Sequence, residues 1–189
     1  ELDLEFELVT LDFSMAALRT PEYLAISPLG RVPCLVDGDL TVFESGAICQ
    51  YLCEAYDTGD LHRAPGHAER TAWLQWLHYA ETIAVHAAAL VQQRVFVAPE
   101  QRSEVIQKLE SKRLFKALEV IDRQLDKQDY LLASGFSAVD VAIGYSVHLA
   151  QAFVDYSSLA AVTQYYQRLS QRQAFQRACP ASSLDVVSV

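Results

Sequence analysis

The sequence comprises 189 residues, of which 51% are hydrophobic and 21% are charged, and its formal net charge of −9 is expected to repel the phosphate backbone of nucleic acids. No apolar run approaches the roughly 18 residues that a membrane span requires, so neither nucleic acid nor a membrane is predicted as a partner. Four cysteines, Cys34, Cys49, Cys53 and Cys179, match neither a zinc pattern nor a CxxC redox pair. They predict buried free thiols in a cytoplasmic protein without a metal site.

The first third of the chain predicts an α/β domain over residues 1–57. Alternating polar and apolar residues predict a strand over 4–11, and Thr20 followed by Pro21 predicts the start of a short helix. Two β-rich runs, 32–36 and 40–43, are joined by an Asp-Gly turn and predict a hairpin. A second helix is predicted to open at Glu44-Ser45-Gly46. Strand, helix, hairpin and helix in this order make up most of a thioredoxin-like domain.

The rest of the chain predicts a linker over 58–66, an all-helical domain over 67–180 and a tail over 181–189. A 3.6-residue apolar period runs from Trp73 to Leu90, with Pro99 as its stop, and a second period runs from Val105 to Leu125. Ser137 to Asp140 predicts a capping box before a helix that is apolar on nearly every side and therefore central. One more striped helix, from Leu159 to Leu169, and a short final turn at Phe175 complete this domain.

The predicted helix start at Glu44-Ser45 is a candidate anion site. The first N–H groups of a helix have no intrahelical partners, and the helix dipole adds partial positive charge there, so a carboxylate binds readily. The Ser45 hydroxyl can donate to the same carboxylate, and Glu44 can receive an ammonium. The pair can therefore read the zwitterionic head of an α-amino acid; the alternative is that Ser45 serves only as a helix cap.

Val32-Pro33, at the entry to the hairpin, is the second candidate element. If the peptide bond before Pro33 is cis, the N–H and C=O groups of Val32 face outward, and a peptide-like ligand can pair with them antiparallel. An ordinary trans proline that opens an edge strand is the alternative reading.

These motifs resemble those of the glutathione transferase family. The resemblance rests on residues 20–24 (TPEYL), 27–33 (SPLGRVP), 37–38 (DG) and 44–48 (ESGAI), and it continues into the second domain at 73–81 and 136–140. Within the family, the segment 73–81 is most similar to bacterial members. The likeness implies a thioredoxin-like N-terminal domain followed by an all-α domain, with glutathione as co-substrate.

The resemblance also implies roles for individual residues. Val32 would pair with the cysteinyl backbone of glutathione beside a cis Pro33, and Glu44 and Ser45 would hold the γ-glutamyl head. Arg31 would face the glycyl carboxylate, unless it is only a solvated surface charge. The family is usually dimeric, and Glu81 is a candidate contact to the glutathione bound by a partner subunit.

The catalytic residue is not identified, because the resembled domain begins with a strand and helix that would precede residue 1 and would carry the group that activates the glutathione thiol. Tyr23, Cys34, His78 and His86 are all interpreted as structural or surface residues. The leading function is attack of the glutathione thiolate on an electrophilic small molecule in detoxification.

Three other functions stay open: a glutathione-dependent thiol–disulfide or peroxide reductase, a non-enzymatic binding or dimerisation module, and, more weakly, a maleylacetoacetate isomerase-like enzyme. Members of the last group commonly carry Gln before the Ser, where this chain has Glu44.

Overall fold

The structure, a computed structural model, describes residues 1–12 and 16–179. The chain divides into two compact units, residues 1–62 and 63–189, and this boundary falls inside the segment 58–66 that the sequence marked as a linker. The tail predicted over 181–189 lies outside the described residues.

The described part of the first unit contains a short 3-10 helix (Ala17–Arg19), two α-helices and a hairpin. Helix α1 (Pro21–Ile26) begins as predicted, with the Thr20 side chain accepting a hydrogen bond from the Tyr23 N–H at 3.2 Å. Strands β1 (Cys34–Asp37) and β2 (Leu40–Phe43) pair antiparallel, with Leu35 opposite Val42. Helix α2 (Ser45–Tyr56) follows β2 after a single residue. The predicted hairpin and both helices are therefore confirmed.

The strand predicted over residues 4–11 is wrong. Residues 1–12 have no regular secondary structure, and among the described residues the sheet has only the two strands β1 and β2. A strand is stable only when its N–H and C=O groups find partners on a neighbour, and none of the described strands pairs with this segment. Phe6 and Leu8 are accordingly 79% and 78% exposed. The alternating pattern alone was therefore not sufficient to predict a strand.

As far as residue 179, the second unit is all-helical. Its α-helices are α3 (Arg70–Val91), α4 (Glu104–Leu125), α5 (Ala138–Ala150), α6 (Ala160–Ser170) and α7 (Gln173–Ala178). Helix α3 packs against both α4 and α5, and α6 packs against α4 and α5. The side chains at the centre of this packing are fully buried: Trp73, Leu77, Ile83, Leu114, Leu118, Ile121, Ile143, Val147 and Tyr165.

Two details of the predicted helices differ in the structure. Helix α3 ends at Val91, and a π-helical turn (Gln92–Phe96) follows it, so Pro99 is not the residue that stops the helix. The first turns of α4 are solvated, because Val105 and Leu109 are 76% and 44% exposed although both belong to the predicted apolar stripe. Its core contacts begin at Leu114.

The start of α5 is the predicted capping box. Asp140 is fully buried, and its carboxylate accepts hydrogen bonds from the backbone N–H groups of Ser137 at 2.8 Å and Leu131 at 3.0 Å. The Tyr165 hydroxyl on α6 donates to the same carboxylate at 3.0 Å. One side chain thus caps α5, fixes the loop before it and links it to α6.

Candidate functional site

The hairpin brings the two candidate elements together. Cys34 lies opposite Phe43 in the β1–β2 register, and continuing this register by one residue places Pro33 opposite Glu44. Opposed residues of antiparallel strands lie about 5 Å apart between Cα atoms. The Val32-Pro33 entry and the start of α2 therefore share one end of the hairpin, and the Asp-Gly turn occupies the other.

The Val32-Pro33 peptide bond is cis, as the resemblance implied, and the trans alternative is excluded. Val32 is 56% exposed, and Pro33 is exposed as well. Within the described residues, neither the N–H nor the C=O of Val32 has a hydrogen-bond partner. An extended ligand backbone can pair with both groups without displacing a protein bond.

The backbone directly before Val32-Pro33 is held by Tyr23 of α1 and by Ser27, the residue that follows α1. The Tyr23 hydroxyl and the Ser27 hydroxyl each donate to the Arg31 C=O at 2.7 Å, and the Arg31 N–H donates to the Ser27 Oγ at 3.1 Å. Tyr23 was interpreted as packing only, and Ser27 was part of the matching motif but was given no role. The sequence shows Ser27 only as a small hydroxyl residue directly after the predicted helix. Such residues are too common at this position to indicate a contact with Arg31.

The start of α2 presents the second group of candidate residues. Glu44 is the N-cap residue, and its C=O accepts a hydrogen bond from the Ile48 N–H at 2.9 Å. The Glu44 side chain makes no capping bond, and both Glu44 and Ser45 are exposed. The acidic side chain is therefore not used as a cap, and the positive end of the helix dipole faces outward beside it.

Glu44 has an unusual backbone conformation, with φ 75° and ψ 114°. A residue with a Cβ atom rarely adopts a positive φ, and such a conformation costs about 1–3 kcal/mol. Strained residues of this kind concentrate at binding and catalytic sites.

Arg31 is exposed and precedes Val32 directly. Among the described residues, no carboxylate forms an ion pair with its guanidinium. The candidate residues of the first unit thus offer a cation, an anion, a hydroxyl and a free stretch of backbone. Glu81, the fourth charged or polar candidate, is half-buried in α3 of the second unit.

The cysteines of the described chain are all free, as predicted, but only Cys53 is buried. Burial raises the pKa of Cys53 to about 12 and raises the pKa of the Cys179 thiol as well. Cys34 donates through its Sγ to the Ile26 C=O at 3.0 Å, and desolvation raises its pKa. None of these three thiols is an activated nucleophile, because a reactive cysteine requires a lowered pKa.

The two helical histidines considered in the sequence occupy different environments. His86 contacts Glu110 of α4 at 2.7 Å, and this hydrogen bond lowers the pKa of the Glu110 carboxyl. His78 is exposed. His86 therefore joins α3 to α4, which supports its structural interpretation.

The described residues offer neither a metal-binding cluster nor a membrane-spanning helix. In the ranges 1–12 and 16–179, no three His, Cys, Asp or Glu side chains are grouped so that they could hold a metal ion. No helix in those ranges is long and apolar enough to cross a membrane.

The order α1, hairpin, α2 in the first unit, followed by a second unit whose described residues form helices and no strand, defines the class: a thioredoxin-like α/β domain joined to an all-α domain. Known proteins support this class. Residues 1–54 match the family model for the glutathione S-transferase N-terminal domain.

Relatives and solved structures agree with the family model. A probable glutathione S-transferase GSTF2 from Oryza sativa subsp. japonica is 36% identical over 75% of this chain and 67% of its own length. Glutathione S-transferase 3 from Zea mays is 30% identical over 97% of this chain and 86% of its own. The glutathione transferase URE2P6 from Phanerochaete chrysosporium, solved in complex with oxidized glutathione, superposes with a TM-score of 0.86 at 26% identity, covering 98% of this chain and 87% of that one.

The chain therefore belongs to the glutathione S-transferase family. The expectation that it is a bacterial-type member is not supported, because the curated relatives named here come from plants.

Proposed function

We propose that this protein is a glutathione transferase, which binds glutathione and promotes attack of its thiolate on an electrophilic small molecule. The observation that carries the proposal is the exposed, unpaired backbone of Val32 beside the start of α2, at one end of the hairpin. The relatives are named glutathione S-transferases, and the Phanerochaete structure contains oxidized glutathione.

Each part of glutathione has a matching group in the first unit. The Val32 N–H and C=O pair with the cysteinyl residue, next to Pro33, in the manner of an added β-strand. The γ-glutamyl carboxylate binds at the start of α2 with the Ser45 hydroxyl, and the γ-glutamyl ammonium binds Glu44. Arg31 faces the glycyl carboxylate.

The chemistry follows from the thiol. Glutathione reacts as a thiolate, whose sulfur forms a bond to the electrophilic carbon while a leaving group departs or a proton is taken up. The protein lowers the thiol pKa by hydrogen bonding to the thiolate. No residue of the candidate site is assigned to that step, so the proposed roles of residues 31–33, 44 and 45 are binding and orientation.

Isothermal titration with glutathione tests the binding roles. Glu44→Ala is expected to raise Kd by about tenfold or more, because it removes a charge-assisted hydrogen bond to the ammonium. Asp39→Ala is the matched control, since Asp39 is an exposed acidic residue at the turn end of the same hairpin. A wild-type protein that does not bind glutathione, or equal affinities for the two variants, would contradict the assignment.

Turnover separates the proposed enzyme from a binding module. Conjugation of glutathione to 1-chloro-2,4-dinitrobenzene by the full-length protein, followed by absorbance, is expected to be lost in parallel with binding in Glu44→Ala. Retained binding without turnover against a panel of electrophiles would favour the non-enzymatic alternative.

We also propose that the protein is a cytoplasmic homodimer with a role in detoxification, in which Glu81 contacts the glutathione of the partner subunit. Sedimentation is expected to give twice the 21.1 kDa mass of the chain. Glu81→Gln is expected to keep that mass and to weaken glutathione binding. A monomer in sedimentation would refute this arrangement.

A further inference from the structure

The Val32 backbone is exposed, but the residue before it is anchored by buried groups. Tyr23 is 8% exposed and Ser27 is 2% exposed, and both hydroxyls donate to the Arg31 C=O. A carbonyl oxygen has two lone pairs, so this one is fully used. We call Tyr23 and Ser27 the α1 clamp.

The α1 clamp acts on the peptide unit that contains the free N–H of Val32. The Arg31 C=O and the Val32 N–H belong to one planar trans peptide group, in which the two bonds point in opposite directions. Two hydrogen bonds that hold the carbonyl toward α1 therefore turn the Val32 N–H away from α1. The orientation of the exposed donor is set by side chains that no ligand has to touch.

The surrounding loop leaves little freedom for this peptide unit. The Ser27 hydroxyl also accepts from the Arg31 N–H, and the Gly30 N–H donates to the Ser27 C=O at 2.8 Å. On the far side of Pro33, the Cys34 thiol donates to the Ile26 C=O. The backbone is thus fixed both before and after the two exposed residues.

We propose that Tyr23 and Ser27 are positioning residues for glutathione binding, which hold the Val32 N–H in the orientation that meets the cysteinyl carbonyl. The inference rests on the proposed function of the same site. A donor that is already ordered before the ligand arrives does not lose conformational entropy on binding, so preorganisation strengthens affinity. Without the clamp, the peptide unit is free to rotate. Ordering it on binding then costs free energy and weakens the affinity for glutathione.

Two variants of the full chain test the clamp by titration with glutathione. Tyr23→Phe and Ser27→Ala each remove one donor to the Arg31 C=O and are expected to raise Kd by about three- to tenfold. Ser27→Thr keeps the hydroxyl and is expected to retain an affinity close to that of the wild type. Tyr51→Phe is the matched control, because it deletes a tyrosine hydroxyl bond to Asp37, 2.8 Å long, at the turn end of the same hairpin.

A second ligand distinguishes positioning from general loss of structure. γ-Glutamylcysteamine has the γ-glutamyl head and the thiol but lacks the cysteinyl carbonyl that receives the Val32 N–H. The clamp variants are expected to weaken glutathione binding while leaving the Kd of γ-glutamylcysteamine within about twofold of the wild-type value. A purely structural defect would weaken both ligands alike.

Three results would overturn the inference: wild-type glutathione affinity in both clamp variants, equal weakening of the two ligands, or the same loss in Tyr51→Phe. If Ser27→Ala does not fold, Tyr23→Phe alone tests the inference, because it removes only one oxygen atom from the side chain. A wild-type protein that binds neither ligand refutes the proposed function itself, whereas a wild type that binds normally beside unaffected variants refutes only the clamp.

Discussion

Gly30 and Gly38 have nearly the same backbone conformation, with φ of +60° and +58°, but different surroundings. A Cβ atom on Gly30 would lie 2.3 Å from the Leu18 backbone oxygen, whereas a Cβ on Gly38 would meet nothing within 4 Å. A backbone oxygen cannot move aside as a flexible side chain can. The two positions therefore separate the cost of a left-handed conformation from the cost of a steric clash.

We expect Gly38→Ala to lower the free energy of unfolding by about 1 kcal/mol, the cost of the left-handed backbone alone. Gly30→Ala is expected to cost about 2 kcal/mol or more, because a clash with the Leu18 oxygen is added. Urea denaturation of both variants measures the difference. Equal losses would show that the loop around Gly30 relaxes freely.

The residues of the candidate site illustrate what the sequence can reveal. Val32, Pro33, Glu44 and Ser45 are predicted as site residues because each lies in a short motif with a local physical meaning. The contacts of Ser27 were not predicted, because they depend on the return of the chain at Arg31, four residues later, which is a property of loop geometry and not of residue type. The positive φ of Glu44 likewise has no sequence signature, since Glu is not a residue that favours it.

At the scale of secondary structure elements, α5 depends on one buried carboxylate. Asp140 accepts hydrogen bonds from two backbone N–H groups and from Tyr165. Asp140→Ala leaves these donors buried without an acceptor, so we expect it to lower the free energy of unfolding by about 3 kcal/mol or more. Asp155→Ala is the control, because Asp155 accepts from the Ser157 N–H in an exposed turn, and only a small fraction of that loss is expected there.

The packing of α5 with α6 and α7 contains a titratable group. His148 is 5% exposed, lies 2.8 Å from the Tyr166 hydroxyl through Nδ1, and meets the ring of Phe175 edge-on. Burial lowers the pKa of His148, so the unfolded state binds a proton more readily than the folded state. This group therefore makes stability fall as pH decreases below its ordinary pKa of about 6.5.

We expect His148→Asn to reduce the loss of stability between pH 7.5 and pH 5.5, since asparagine does not titrate. Urea denaturation at the two pH values gives the comparison, and His78→Asn, which changes an exposed histidine of α3, is expected to leave the pH dependence near that of the wild type. A pH dependence in His148→Asn as steep as in the wild type would contradict the assignment.

The elements differ in how far the sequence predicted them, and the reason is physical. The starts of α1 and α5 were predicted because a cap is a local interaction, as with Thr20 and the Ser137–Asp140 box. The segment 4–11 was wrongly predicted as a strand because pairing requires a distant partner that periodicity does not contain. The exposure of the first turns of α4 was not predicted, because an apolar stripe shows which face of a helix is apolar and not how far along the helix its neighbour extends.

At the scale of the whole molecule, the two units carry very different cores. In the described part of the first unit, Tyr23, Ser27 and Cys53 are the only buried residues, and the sheet has two strands. A two-stranded hairpin is marginally stable in water. The second unit buries side chains from four long helices around Trp73, Ile83 and Leu118.

We expect a fragment of residues 63–179 to unfold cooperatively in urea, with helical circular dichroism in its absence. A fragment of residues 1–62 is expected to show no cooperative transition, because its buried apolar surface is too small to offset the conformational entropy of the chain. A sharp transition in the short fragment would show that it holds more structure than its core suggests.

The burial of Cys53 offers a way to follow the opening of the first unit with a residue that is already in the chain. With a pKa of about 12, this thiol is a thiolate in roughly one molecule in ten thousand at pH 8, and its 4% exposure keeps reagents away. Iodoacetamide can modify Cys53 only when α2 opens. The alkylation rate at this position, measured by peptide mass spectrometry, therefore reports how often α2 opens locally. Glutathione bound at the start of α2 should lower the alkylation rate of Cys53. The expected factor is the ratio of the affinities of glutathione for the closed and open states of the helix.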